Sequence, residues 1–179
     1  MPQIIRSQLN RLSFVSFLLL STVGCDQATK AMARGNLSSR SVSYLGDLFR
    51  LQHTENPGAF LSLGADFQGD LRFWVFTVGV GVFTLGALYF LYRKNTDRAG
   101  EPAMTLWSSI SFTLIVAGGL GNLIDRALKG TVTDFLNVGI GGLRTGIFNV
   151  ADMAIMAGIA MMLFSVFKDT PSRTAQAKD

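Results

Sequence analysis

The sequence contains a single cysteine, Cys25, and a single histidine, His53. One cysteine cannot form an internal disulfide, and so few nitrogen and sulfur donors exclude the usual zinc ligand sets. Charge is also scarce. Asp, Glu, Lys and Arg make up 16% of the chain, against about 25% in soluble domains. The basic residues are scattered and the net charge is only +4, so no concentrated basic stripe suggests nucleic acid. Anionic lipid head groups are the simpler partner. Internal repeats and low-complexity segments are missing as well. What the chain has in excess is hydrophobic residues, 49% of the total.

A bilayer core takes about 20 apolar residues as a helix. The run from Phe73 to Tyr92 and that from Ala103 to Ile124 carry no charge, and Thr145 to Phe167 is apolar apart from Asn149 and Asp152. A fourth candidate starts at Leu12 and reaches full span only if Asp26 and Lys30 lie within it or at its end. The expected architecture is all-α, with four membrane helices near residues 12–32, 71–92, 104–126 and 146–167. They form one membrane-embedded unit over residues 1–170, followed by a flexible tail at 171–179. Arg6 and Arg11 ahead of an apolar run, with the lipobox-like Ser21-Thr22-Val23-Gly24-Cys25, also describe a cleaved signal peptide. Against that, Thr22 stands where leucine is usual, and three more apolar segments follow. Four spans put both termini on one side. Arg93, Lys94 and Arg98 in the short 93–103 loop, with Arg6 and Arg11, place that side in the cytoplasm by the positive-inside rule.

The one sizeable extramembrane stretch is 37–70, between the first two spans. Leu48 to Thr54 alternates as a strand does, and Asn56-Pro57-Gly58 is a turn. A small extracytoplasmic β-sheet is expected there.

Charges inside a bilayer cost about 2.5–3.5 kcal/mol each on insertion scales, yet Asp26, Lys30, Asp125, Arg126 and Asp152 fall in or at the ends of spans. They either pair or perform chemistry. Asp26 and Lys30 are spaced i, i+4 and share a helical face; they suit an ion pair or a site-lining pair. Asn122, Asp125 and Arg126 share another face, behind Gly118, Gly119 and Gly121, which allow close helix approach. Taken alone, Asp134 reads as a solvated loop aspartate, Asp125 as a supporting residue and His53 as structural. Two carboxyls brought together could share a proton, one activating water and the other acting as an acid toward a carbonyl. Spacing leaves open which aspartates would pair.

Five blocks occur in a defined order: Asp26-Gln27-Ala28-Thr29-Lys30, Asn56-Pro57-Gly58-Ala59-Phe60, Gly118 to Arg126, Val132-Thr133-Asp134-Phe135 and Phe148-Asn149-Val150-Ala151-Asp152. In that order the chain resembles the lipoprotein signal peptidases (signal peptidase II) from about residue 12 to 167. The resemblance implies an aspartic endopeptidase of the bacterial inner membrane, with its site toward the periplasm. The catalytic pair would be Asp134 and Asp152. Asp26, Lys30, Asn56, Gly58, Asn122, Arg126 and Asn149 would line or brace the site. It also implies diacylglyceryl-prolipoprotein substrates cut just before the lipidated cysteine, inhibition by globomycin-type cyclic peptides, and neither metal nor cofactor. Two departures stand out: Pro57 replaces a common threonine, with Phe60 one residue early, and Thr133 stands where a second valine is common. The first bears on the shape of the surface loop. A small transporter or channel subunit is the alternative from another class, since intramembrane charges also mark ion paths, and a membrane-anchored assembly protein is a third.

Overall fold

The computed structural model describes residues 3–37, 40–58, 69–96 and 104–169. Helix α1 (Gln3–Asn36) leads to strands β1 (Val42–Tyr44) and β2 (Phe49–Asn56). The short α2 (Gly69–Arg72) runs through a π-helical stretch, Phe73–Gly79, into α3 (Val80–Asn95). Then come α4 (Leu106–Lys129), β3 (Val132–Ile140), β4 (Leu143–Arg144) and α5 (Val150–Asp169). The tail 171–179 and the part of the surface segment at 59–68 lie outside the described residues.

Helix α4 is the centre of the bundle and packs against α1, α3 and α5. Its ends follow from local chemistry. The Thr105 hydroxyl accepts the Ser108 backbone N–H at 3.1 Å, capping the start. At the other end Gly130 takes a φ of 77° and returns its N–H to the Arg126 carbonyl, a left-handed stop that glycine adopts at little cost. The expected close approach is there. A Cβ on Gly118 would run into the backbone carbonyl of Ala151 and lie 2.7 Å from Ile155 Cγ1.

The surface is inverted relative to a soluble bundle. Phe17, Leu20, Phe83, Tyr89 and Phe164 are exposed, whereas Asp26, Lys30, Thr113, Asp125 and Asn149 are buried. Apolar residues outside and hydrogen-bonded polar groups inside suit a lipid solvent. Among the described residues three helices are long and apolar enough to cross a membrane: Leu9–Asn36, Phe73–Asn95 and Leu106–Lys129. The fourth apolar helix, Val150–Ser165, is shorter. The protein is a multi-pass membrane protein. The interior apolar cluster of Val15, Leu19, Leu91, Val116 and Ala117 lies between α1, α3 and α4.

The sheet corrects the sequence reading in one respect. It is not confined to the segment between the first two spans: the order is β1-β2-β3-β4, all antiparallel, and two of its strands come from the connection between α4 and α5. A lone two-stranded hairpin is marginal in water. Here β3 lies along β2 from Phe49↔Val138 to Asn56↔Val132, with a register shift between Leu51 and Thr54. The expected strand at 48–54 is β2, one residue later at its start and two longer at its end. Asp47 ties the two hairpins together. It accepts Ser43 Oγ at 2.7 Å, Arg50 Nη2 at 2.6 Å and Arg144 Nη1 at 3.1 Å.

Candidate active site

Four buried carboxyls gather where the sheet meets the helix ends: Asp26 of α1, Asp125 of α4, Asp134 of β3 and Asp152 of α5. Their partners divide them into two kinds.

Asp26 and Asp125 face cations. Lys30 Nζ lies 2.8 Å from Asp26 Oδ2 and 3.5 Å from Asp125 Oδ2. Lys129 and Arg34 approach Asp125 at 3.4 and 3.8 Å. Both aspartates also hold backbone in place. Asp26 Oδ1 accepts the Ala151 N–H at 2.9 Å, in the first turn of α5, and Asp125 Oδ2 accepts the Thr133 N–H at 2.9 Å. The i, i+4 spacing of Asp26 and Lys30 therefore makes an ion pair that also fixes α5 against α1. Asp125 does not pair with its neighbour Arg126, whose Nη2 instead donates to the Gly58 carbonyl at 2.8 Å.

Asp134 and Asp152 are different. They are 3% and 8% exposed, and among the described residues no cation lies within ion-pair distance of either. Their donors are neutral amides. Asn56 Nδ2 donates to Asp134 Oδ2 at 2.9 Å and Asn149 Nδ2 to Asp134 Oδ1 at 2.6 Å. Asn122 Nδ2 donates to Asp152 Oδ1 at 2.9 Å and the Asn149 backbone N–H to Asp152 Oδ2 at 3.2 Å. Asn149 thus touches both carboxyls, one through its side chain and the other through its backbone.

The α5 start explains that geometry. Asn149 immediately precedes the helix; its Oδ1 accepts the Asp152 N–H at 2.9 Å while Asp152 reaches back to the Asn149 N–H. This is a capping box, with both side chains satisfying otherwise orphaned helix donors. The second amide hydrogen bond of Asn149 goes to Asn122 Oδ1 at 3.2 Å, an oxygen that Lys30 Nζ also reaches at 2.9 Å. Lys30 is therefore linked by hydrogen bonds to the carboxyl pair through Asn122.

Asp134 lies on β3, outside the helices, and is not the solvated loop residue that its immediate neighbours suggest. Burial pushes its carboxyl up from 3.8 to about 6. The hydrogen bond from Asn56 opposes the rise, the charge of Asp152 adds to it, and the Asn149 bond opposes it again. A carboxyl that keeps its proton to higher pH beside a second carboxyl can act as the acid while its partner acts as the base.

Every candidate site residue of the sequence reading sits in or against this cluster, and His53 lies outside it. Gly58 donates its N–H to Asn56 Oδ1 at 2.9 Å, which orients the amide facing Asp134. His53 pairs with Glu55 at 3.0 Å on the half-exposed side of β2. Sequence reasoning missed three contributors. Gln27 Nε2 bonds the Gly121 carbonyl at 2.9 Å and Asp26 at 3.1 Å. Thr133 Oγ1 is a hub for Arg34, Lys129 and Glu55. Glu55 accepts hydroxyls of Thr131 and Thr133 at 2.6 and 2.9 Å. Gln27 and Thr133 stand inside two of the ordered blocks, which was the available signal. Glu55 had none.

Residues 18–168 match the family described as signal peptidase (SPase) II. A lipoprotein signal peptidase of Streptococcus pneumoniae is 31% identical over 158 residues, covering 88% of this chain and 94% of the relative. One from Geobacter sulfurreducens is 34% identical over 153 residues, covering 85% and 90%. Two solved bacterial membrane enzyme structures share the fold with a TM-score of 0.72 each, at 24% and 26% identity. They cover 93% and 88% of this chain and 94% and 95% of theirs.

Proposed function

Because the chain belongs to the signal peptidase II family, we propose that it removes the signal peptide from diacylglyceryl-modified bacterial prolipoproteins, cutting just before the lipidated cysteine. The relatives do not favour the transporter or channel alternative.

Asp134 and Asp152 are the catalytic pair in this reading. The carrying observation is that Asn149 bonds both buried carboxyls, while Asp26 and Asp125 are committed to cations. With one proton on the pair, the ionised carboxyl takes a proton from water as the water oxygen bonds to the scissile carbonyl carbon. The other carboxyl gives its proton to the carbonyl oxygen. Collapse of the tetrahedral species breaks the C–N bond, and a carboxyl proton passes to the leaving amine. Asn56, Asn122 and Asn149 hold the two groups in register without neutralising them. Lys30 and Arg126 supply positive charge at one remove.

The setting suits a lipidated substrate. Four spans, a bacterial inner-membrane location and cytoplasmic termini put the sheet end of the bundle in the periplasm. The acyl chains of the substrate stay in the bilayer beside the helices, which brings the cysteine to the level of the pair. A globomycin-type cyclic peptide would compete for the same place. The β-sheet offers an edge on which an extended substrate backbone can lie.

The test is incubation of the purified protein with a precursor in two forms, with and without diacylglycerol on the cysteine. The lipidated form is shortened by the length of its signal peptide and the unlipidated form is not. No cleavage of the lipidated form by inserted, folded protein overturns the reading.

A further inference from the structure

On the other side of the sheet from the carboxyl pair, a groove of about 450 Å³ runs between the outer end of α1 and the sheet. Thr29, Met32, Ala33 and Asn36 of α1 form one wall; their i, i+3, i+4, i+7 spacing is one helical face. Tyr44, Leu51 and Phe135 of the sheet form the other. Phe135 follows Asp134 on β3, so the two side chains point to opposite faces of the strand, and β3 separates the groove from the site.

Depth decides what the groove meets. The candidate membrane helix within α1 ends at Asn36, and Thr29 lies about 10 Å before that end at 1.5 Å per residue. Tyr44 and Leu51 line the same groove as Thr29 and Met32, so the sheet edge lies beside the last two turns of a membrane helix. This is the level of head groups and the first methylenes. The groove is open to its surroundings, with Met32 65% and Tyr44 53% exposed. At its polar rim Arg40 donates Nε to the Asn36 carbonyl at 2.9 Å, which fixes the guanidinium over the end of α1. Among the described residues no carboxylate pairs with Arg40.

We infer that this groove binds one anionic glycerophospholipid of the surrounding leaflet, its acyl chain along the α1 wall and its phosphate on Arg40. The apolar walls take the chain, and the Arg40 guanidinium takes the negative head group. The volume is in the range of small-molecule sites. The same lipid would hold the sheet, and with it Asn56 and Asp134, against α1. The inference does not depend on the peptidase reading, because its test reads binding alone.

The full-length protein, purified in detergent, is incubated with phosphatidylglycerol or with phosphatidylcholine of the same acyl chains and analysed by native mass spectrometry. One phosphatidylglycerol is retained in preference to phosphatidylcholine. Arg40→Gln weakens retention about fivefold, as expected for one arginine near a head group, and Arg40→Lys restores most of it. Thr29→Trp fills the groove and abolishes retention while the helical content by circular dichroism is unchanged. Equal retention of the two lipids overturns the inference, as does unchanged retention in Arg40→Gln. Displacement of the bound lipid by a diacylglyceryl-peptide also overturns it, since the groove would then belong to the substrate.

Discussion

The carboxyl of Asp134 stays protonated to about pH 6, chiefly because it is buried, with the charge of Asp152 adding to the effect. The hydrogen bonds from Asn56 and Asn149 act the other way. If the pair works with one proton, the alkaline limb of kcat/KM in the free enzyme reports loss of that proton, with an apparent pKa of about 6. Asn56→Ala removes a donor that favours the ionised form, so the limb moves to higher pH; a limb that stays in place or moves down contradicts the assignment. A pH profile on a lipidated precursor reads this directly. Legibility at this scale followed chain distance. Asp26 and Lys30 show their relationship in the sequence because four residues of helix bring them together. Asp134 shows nothing, because its burial comes from Asn56, 78 positions away, and from a strand pairing that no local pattern announces. Only the ordered blocks pointed to it.

Among the elements, the start of α5 does the most for the site. Its capping box aims Asp152, and Asp26 satisfies a further backbone N–H. The helix rests on α4 through glycine on both sides: a Cβ on Gly158 would lie 2.5 Å from the Ser111 carbonyl oxygen. Gly158→Ala should therefore destabilise the fold by about 1–3 kcal/mol, read as a lowered thermal midpoint in detergent, whereas Gly86→Ala, with open space around it, should not. The β2–β3 pairing carries its own pH dependence. Partial burial acts to raise the pKa of Glu55, but hydrogen bonds from Thr131, His53 and Thr133 and the charge of Lys129 hold it down from 4.5 to about 2. A lowered carboxyl pKa contributes stability that is complete above about pH 4.5 and is lost as pH falls toward 2. Glu55→Gln should flatten the thermal midpoint across that window; an unchanged slope would remove Glu55 from the stabilising network. The helices were legible because lipid demands long apolar runs. β2 was legible from its alternation, whereas in β3 the adjacent Phe135 and Leu136 blur that pattern.

At the scale of the whole molecule, the buried charge of the described residues is concentrated at one end of the bundle, and a sheet drawn from two distant segments closes over it. Asp26, Lys30, Arg34, Asp125 and Lys129 form an ionic frame that locks α1, α4 and the sheet together. Asp134 and Asp152 sit within that frame, bonded only by neutral amides. The proposed mechanism rests on this division between carboxyls that hold the fold and carboxyls assigned to the chemistry. It is tested most directly by the turnover rate of matched variants on a diacylglyceryl precursor, normalised to folded, membrane-inserted protein. Asp134→Asn and Asp152→Asn should each lose at least about 100-fold in kcat with little change in thermal midpoint. Asp125→Asn should lower the midpoint while the surviving folded protein keeps most of its kcat. Full turnover by either of the first two, or a stable but inactive Asp125→Asn, would contradict the account.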